Sequence, residues 1–292
     1  MIQAIINTVN KHVFKLILVL TVSIIGLGLN SCTERIDIDT GTTYTRLAIQ
    51  GQITPFEGKQ YVRLTKTSDY FSNEPPEAVS GAVVNIDDGM NIIQFYEDTT
   101  NPGYYISPTD YIGHPGIEYR MYVELSEEIN GSKNYFAQEL MPIPAEKIDS
   151  IALEYNDRWE MWMVKLYALE PPTKDFYMFD GYVNGKIITD SVANKNISDD
   201  RLFNGSNTAG TIVMVVDGEQ LFPGDTFTLS LSNISEAYAN YMMELQQEIQ
   251  PNDPMFSGPP ANVSSNVNND AVGYFAAYPS IFASKIAEEP IE

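Results

Sequence analysis

The residue with the most distinctive chemistry is Cys32, which is the only cysteine among the 292 residues of the sequence. It directly follows Leu29-Asn30-Ser31, at the end of an apolar run that covers residues 13–29. A single cysteine cannot form a disulfide within one chain. Its thiolate is a nucleophile, and its position between an apolar run and a polar segment suits the attachment of a lipid.

The residues before Cys32 have the parts of a secretory signal peptide. Lys11 and Lys15 supply the positive start, the apolar run follows, and small or polar residues precede the cleavage point. The pattern resembles a bacterial lipoprotein signal, with Ser31 at the position before the cut. We therefore expect residues 1–31 to be removed and Cys32 to become the first mature residue, carrying diacylglyceryl and N-acyl chains.

Two other interpretations of this region are open. In the first, the apolar run stays in place as a membrane-spanning helix. A span needs about 20 apolar residues, whereas this run is shorter and contains Lys15. In the second, Cys32 is an ordinary buried thiol. Lipid attachment is favoured by the signal-peptide pattern, and two or more fatty chains would anchor the protein stably, which one chain does not.

Residues for common catalytic or metal sites are scarce. Of the two histidines, His12 lies in the signal peptide and His114 lies between Gly113 and Pro115, in a predicted turn. The sequence contains no HExxH, GxSxG, Walker or GxGxxG motif. We therefore expect no catalytic residue, no metal site and no cofactor other than the lipid on Cys32. The many Asp and Glu residues leave open a hydrolase that uses two carboxylates. Their spacing shows no pattern that supports it, so this function ranks below the two binding functions given at the end of this section.

Three aromatic residues are the candidate ligand- or partner-binding residues. Tyr155, Trp159 and Trp162 lie close together and include both tryptophans of the sequence. Within a strand, Trp159 and Trp162 would point to opposite faces, because side chains alternate. An exposed tryptophan beside Tyr155 could stack on a sugar or on a partner side chain. Burial in the core is the competing interpretation, because tryptophan is highly buried on average.

The acidic composition excludes several classes of partner. The chain carries 39 acidic and 17 basic residues, a formal net charge of −22, and the predicted signal peptide contributes only basic ones. Nucleic acids and anionic lipid head groups are therefore poor partners, since both attract Lys and Arg. The carboxylates are dispersed along the chain, which indicates a solvated surface.

The pattern of apolar residues predicts an all-β protein. Tyr and Phe are abundant, and short alternating runs recur at the spacing of a β-sandwich. After an acidic tether at 32–44, we predict an N-terminal β-sandwich over 45–141 that contains a hairpin around Asp87–Asn91. Met141-Pro142-Ile143-Pro144 is a linker, and a C-terminal β-sandwich follows over 146–292. Both domains are expected to be immunoglobulin- or transthyretin-like.

One amphipathic helix is predicted at 235–249, within the second domain. Ser235 can cap its N-terminus. Its apolar residues recur three or four positions apart, as on one helix face: Tyr238, Tyr241, Met242, Leu245 and Ile249. We expect this face to pack on the second sheet, with contact to a partner as the alternative.

Several short motifs occur in a fixed order along the mature chain. They are Cys32–Asp39, Leu47–Ile53, Val62–Tyr70, Pro75-Pro76, Val79-Ser80-Gly81-Ala82, Pro115–Tyr119, Ile148–Ile151, Pro260–Val267 and Gly273-Tyr274-Phe275. This order resembles a Bacteroidota lipoprotein family, domain of unknown function 4249. The resemblance implies display on the surface of the outer membrane and a link to a barrel of the TonB-dependent receptor type. It implies no catalytic residue.

We therefore expect a lipid-anchored, non-catalytic protein of the outer membrane that faces the extracellular side. It would act as an accessory or binding subunit of a TonB-dependent receptor-like barrel. The main alternative is a stand-alone surface module that binds a glycan or a peptide through an aromatic patch.

Overall fold

The structure is a computed structural model that describes residues 44–58, 60–68, 74–144, 147–249 and 263–289. These residues belong to one structural unit, Tyr44–Glu292. The signal peptide, Cys32 and the tether up to residue 43 lie outside the described residues, so their assignments stay predictions. Within the described residues, no helix has the length and apolar character needed to cross a membrane.

The described part of the chain is mostly β, as predicted, with sixteen strands and one α-helix. The strands are β1 (Leu47–Ile53), β2 (Tyr61–Lys66), β3 (Val83–Asp87), β4 (Ile92–Glu97), β5 (Tyr104–Ile106), β6 (Glu118–Ile129), β7 (Ser132–Leu140), β8 (Ser150–Asn156), β9 (Met161–Tyr167), β10 (Phe176–Val183), β11 (Lys186–Ile187), β12 (Asn196–Asp199), β13 (Thr211–Asp217), β14 (Thr226–Ile234), β15 (Val272–Ala277) and β16 (Ser280–Ile286). Helix α1 covers Glu236–Ile249, and a short 3₁₀ helix covers Val192–Asn194.

The strands form three sheets. The largest has eight strands in the order β15-β1-β2-β5-β4-β3-β6-β7. A second sheet has the order β11-β10-β14-β16, with β12 also paired to β10, and a third has the order β13-β9-β8. Strand β1 shows how the first core forms, because Leu47, Ile49 and Ile53 face inward and are buried while Gln50 faces outward.

The eight-stranded sheet is nearly closed by the loop at residues 266–269. The backbone N–H of Asn268 donates to the carbonyl of Phe136 in β7 at 3.0 Å, and the N–H of Phe136 donates to Asn268 Oδ1 at 2.7 Å. On the other side, Asn266 Nδ2 donates to the carbonyl of Phe275 in β15 at 2.8 Å. Since the loop pairs with backbone groups of both edge strands, neither edge is left fully open to another chain.

The two smaller sheets share a second core. Apolar residues of β9, β10, β13 and β14 pack together there, among them Trp162, Val164, Phe179 and Phe227. Strands with one apolar face bury it against another layer in this way. The assignment of two immunoglobulin- or transthyretin-like domains, divided at residues 141–146, stays a prediction.

The chain after α1 contributes one strand to the eight-stranded sheet and one strand to the second sheet. Strand β15 pairs in parallel with β1, whereas β16 pairs antiparallel with β14. Between these strands, the N–H of Tyr278 donates to the carbonyl of Ile53, and the N–H of Asn233 donates to the carbonyl of Pro279, both at 3.1 Å. The corner Tyr278-Pro279 therefore connects the eight-stranded sheet with the second sheet. Sequence analysis instead assigned all of 146–292 to the C-terminal sandwich.

The helix predicted at 235–249 is confirmed. The N–H of Tyr238 donates to Ser235 Oγ at 3.1 Å, so Ser235 is the N-cap. Ala239 and Met242 are buried against residues of β10 and the end of β14. Ile249 is exposed, so the buried face ends before the last turn.

Candidate ligand-binding cleft

A cleft of about 630 Å³ lies between the outer face of the eight-stranded sheet and helix α1. Strands β1, β2 and β15 form its floor, α1 forms a wall, and residues 190, 192 and 195 also line it. Cavities of roughly 300–1,000 Å³ are typical of small-molecule sites. The size and the mixed lining make this cleft the candidate binding site.

One row of side chains crosses the floor from strand to strand. In the sheet register, Tyr274 of β15 is paired with Gln50 of β1, Gln50 with Arg63 of β2, and Arg63 with Tyr104 of β5. Residues paired across strands lie on the same face of the sheet. The row therefore presents an aromatic ring, an amide and a guanidinium in the cleft, and Tyr104 lies next to Arg63 beyond the lining.

Four tyrosines meet at the helix side of the cleft and form what we call the tyrosine cluster: Tyr238, Tyr241, Tyr274 and Tyr278. The first two are three residues apart on α1 and so share a helix face. The ring centroid of Tyr238 lies 6.0 Å from those of Tyr241 and Tyr278, with ring planes inclined by only 14° and 11°. The Tyr274 ring lies 5.0 Å from both helix rings.

The basic residues that line the cleft differ in how their charges are compensated. Lys195 Nζ lies 2.6 Å from Asp180 Oδ1, and a guanidinium nitrogen of Arg46 lies 3.5 Å from Asp270 Oδ1. Arg63 is the third cation of the lining. The charges of the first two are therefore matched within the protein.

Arg63 has no carboxylate partner in the described part of the chain. The ion pairs found there do not include it. Its guanidinium carbon lies 5.3 Å from the centre of the Tyr104 ring, a cation–π contact that holds the side chain without neutralising it. Among the described residues that line the cleft, Asp190 carries the one carboxylate, and it is exposed.

Burial keeps the hydroxyls of the tyrosine cluster protonated. Partial removal from water raises the pKa of Tyr238, Tyr241 and Tyr278. Burial and the nearby carboxylate of Glu139 raise the pKa of Tyr274. These phenols are therefore neutral hydrogen-bonding groups at physiological pH and do not serve as bases.

The sequence model of the family described as Domain of unknown function (DUF4249) matches residues 33–280, which include every residue lining the cleft. This chain belongs to the DUF4249 family. No curated protein matches it. Among solved structures, the selenomethionine-substituted chicken interferon gamma receptor alpha chain is similar at 11% identity, over 65% of this chain and 88% of the receptor chain, with a TM-score of 0.20. That similarity is too low to assign fold or function.

In this DUF4249 protein, the three predicted binding residues lie at one hairpin outside the cleft. Trp162 of β9 is 3% exposed, and its Nε1 donates to the carbonyl of Leu221 at 2.7 Å. The Tyr155 ring packs edge-on against it at 5.1 Å. Trp159 lies in the turn between β8 and β9 and is 63% exposed. The structure therefore places Trp162 in the second core and leaves Trp159 separate at the surface.

Sequence reasoning did not bring the cleft residues of the DUF4249 protein together. It treated Tyr238 and Tyr241 as residues of the packing face of the helix, where they do pack, and Tyr274 as part of a short motif. The signal available was the spacing of tyrosines three and four residues apart at 238/241 and 274/278. That spacing alone does not show that the two segments meet.

Three carboxylates lie close enough to share a cation, with ligand atoms of Glu170, Asp175 and Asp200 within 4.8 Å of one another. The protein itself supplies their partners. The Tyr177 hydroxyl donates to Glu170, and the N–H of Asp175 donates to Asp200 Oδ2 at 3.0 Å. Asp200 and Glu170 are 2% and 7% exposed, so both carboxylates are largely buried. We assign this cluster a structural role.

Glu139 is a buried carboxyl behind the tyrosine cluster and is bonded to it through Tyr274. The Tyr274 hydroxyl donates to Glu139 Oε2 at 3.0 Å, and Asn266 Nδ2 donates to the same oxygen at 3.3 Å. Burial raises the pKa of this carboxyl above its ordinary value, although these hydrogen bonds oppose the shift. The charged form is therefore costly in the folded protein.

We expect Glu139→Gln to make stability less dependent on pH. Because the folded pKa lies above the unfolded one, the folded state binds more protons, so wild-type stability falls as pH rises from the ordinary glutamate value through the raised one. Glutamine stays neutral and keeps an oxygen that can accept from Tyr274. Urea unfolding between pH 4.5 and 8 measures this loss. The exposed Glu124→Gln should leave it unchanged, and equal curves for the two variants would contradict the assignment.

Proposed function

We propose that this protein is a non-catalytic ligand-binding lipoprotein of the cell surface and that the cleft is its binding site. The observation that carries the proposal is the cleft of about 630 Å³ lined by four clustered tyrosines, glutamine amides and basic side chains. Tyrosine supplies a large, rigid contact area with a polar end at little entropic cost. Such a lining supports capture of an organic ligand.

The proposed anchor is the lipid on Cys32, with residues 1–31 removed. The proposed location is the outer membrane, facing the extracellular side, and the proposed partner is a barrel of the TonB-dependent receptor type. Anchoring in the plane of the membrane raises the effective concentration of the cleft near such a partner. The family resemblance and the signal pattern support this arrangement. We further propose that the two cores belong to immunoglobulin- or transthyretin-like sandwich domains.

Replacing Cys32 with serine is expected to abolish acylation and to leave precursor that still carries residues 1–31. The physical reason is that a serine hydroxyl is a much weaker nucleophile than a thiolate. Mass spectrometry of the N-terminus and membrane fractionation in the native host would measure both effects. Ser31→Ala keeps a small residue before the cut and should be processed normally. Normal maturation and membrane retention of Cys32→Ser would refute the anchor.

The cleft is tested with full-length protein in detergent on arrays of saccharides and peptides. We expect Tyr241→Ala to weaken binding about tenfold or more, as loss of a central aromatic contact does. Tyr122→Ala is the matched control, because Tyr122 is an exposed tyrosine of β6 that does not line the cleft. Melting temperatures of both variants separate binding from folding. Unchanged binding by Tyr241→Ala, or an equal loss in both, would overturn the cleft as the site.

The barrel partner is tested separately by purification of the native protein in mild detergent, followed by mass spectrometry. A stoichiometric TonB-dependent receptor-type barrel supports the accessory role. Its absence, with ligand binding retained, favours the stand-alone module.

A further inference from the structure

The backbone of β1, the central strand of the cleft floor, is paired on both sides. Strand β1 lies between β15 and β2, and the two ladders engage it on both sides from residue 48 to residue 52. An extended peptide that adds to a sheet needs free backbone groups at an edge strand. The middle of this floor is the face of the central strand β1, and backbone groups of the edge strand β15 are bonded by the side chains of Ser265 and Asn266. Recognition there must come from side chains, which disfavours an extended peptide.

The side chains of the cleft offer flat stacking surfaces beside hydrogen-bonding amides. The rings of Tyr241, Tyr238 and Tyr278 are nearly parallel, and Gln50 and Gln52 line the adjoining floor. Tyr278 donates its hydroxyl hydrogen to Gln52 Oε1 at 3.1 Å, which fixes ring and amide relative to each other. Aromatic faces that stack on apolar ring surfaces, beside amides that bind hydroxyls, suit a saccharide.

Arg63 adds a charge requirement to this lining. It lies half-buried in the cleft of a chain with a net charge of −22, and its charge is not matched by a carboxylate among the described residues. A guanidinium binds a carboxylate through two parallel hydrogen bonds. Arg63 and Tyr274 flank Gln50 in the floor row, so about 10 Å separates their backbones across two strand spacings. Their side chains can contact one bound ring.

From these three observations, and resting on the proposed function, we infer that the cleft binds an acidic saccharide. The carboxylate of a uronic- or sialic-type sugar pairs with Arg63, while a ring of the saccharide stacks on the tyrosine cluster. Arg63 is thus the residue that selects acidic over neutral sugars.

The test is a saccharide array in which each carboxylate-bearing member is printed beside its carboxyl-reduced counterpart, with a peptide array in parallel. Full-length protein in detergent is expected to bind at least one acidic saccharide about tenfold or more above its reduced partner. Arg63→Gln should remove that preference, a loss of about 10- to 100-fold for a charged hydrogen bond. Arg63→Lys keeps the positive charge but loses the planar pair of N–H donors, so it should retain part of the preference for acidic saccharides.

Arg158→Gln makes the same charge change at an exposed residue outside the cleft lining and should leave the preference intact. Equal binding of acidic and reduced saccharides, lost in Tyr241→Ala, would overturn this inference and leave the proposed function standing. Binding to peptides but to no saccharide would do the same. Binding to neither array would count against both the acidic-saccharide inference and the proposed function.

Discussion

Replacing Gly273 with alanine is expected to destabilise the fold by about 3 kcal/mol or more. Gly273 has a φ of +93°, and a Cβ atom built there would lie 2.0 Å from the carbonyl oxygen of Ile49 and 2.9 Å from its carbonyl carbon. Both neighbours are backbone atoms of β1, so no flexible side chain can move aside. Strand β15 would have to separate from β1, and Tyr274 would leave the floor of the cleft.

Gly224→Ala is a matched control for this prediction. Gly224 has the same φ of +93°, but its added Cβ would meet no atom within 4 Å. Its substitution should therefore cost only the left-handed backbone penalty, about 1–2 kcal/mol. Urea unfolding of both variants isolates the steric part, and equal losses would show that the close approach of β15 to β1 is absent in solution. Binding to the saccharide array should be lost in Gly273→Ala and retained in Gly224→Ala.

Features set by neighbouring residues were predictable from the sequence. The hairpin around Asp87–Asn91 is confirmed, because β3 pairs with β4 and Asp88 Oδ1 accepts the N–H of Asn91 at 2.7 Å. Gly89 adopts a φ of +83° in that turn. Helix α1 begins after Ser235 as its capping chemistry indicates. In both cases the information lies within a few residues of the feature.

Features set by distant pairing were not predictable in the same way. The parallel pairing of β15 with β1 joins segments more than 200 residues apart, and neither sequence names its partner. Strand β16 also carries little local signal. The residues of β16 are mostly exposed or half-buried, so the alternation that marks a strand is faint. Its place is set by β14, against which it pairs.

The cleft follows from the same distant pairing. Its floor comes from residues near 50, 63 and 274, and its wall comes from residues near 240. The sequence contains 18 tyrosines, but its composition does not indicate which of them lie close together in the folded protein. Three-dimensional proximity, and not residue type, distinguishes the tyrosine cluster from the tyrosines of the two cores.

Trp162→Ala is the second substitution with a large expected effect, a destabilisation of about 3–5 kcal/mol. Trp162 lies in the second core, so alanine would leave a cavity beside Tyr155. The substitution also leaves the carbonyl of Leu221 without the indole N–H that it now accepts, and an unsatisfied buried acceptor adds to the loss. Thermal and urea unfolding measure the change.

Trp159→Ala separates the two roles predicted for this tryptophan pair. Trp159 is largely exposed, so its loss should change stability by no more than about 0.5 kcal/mol. If Trp159 contacts a partner, its variant keeps the wild-type melting temperature while recovery of that partner falls. Reduced ligand binding by Trp162→Ala, in contrast, reports loss of the folded state, because its indole is inaccessible to a ligand. Wild-type stability of Trp162→Ala would contradict its place in the core.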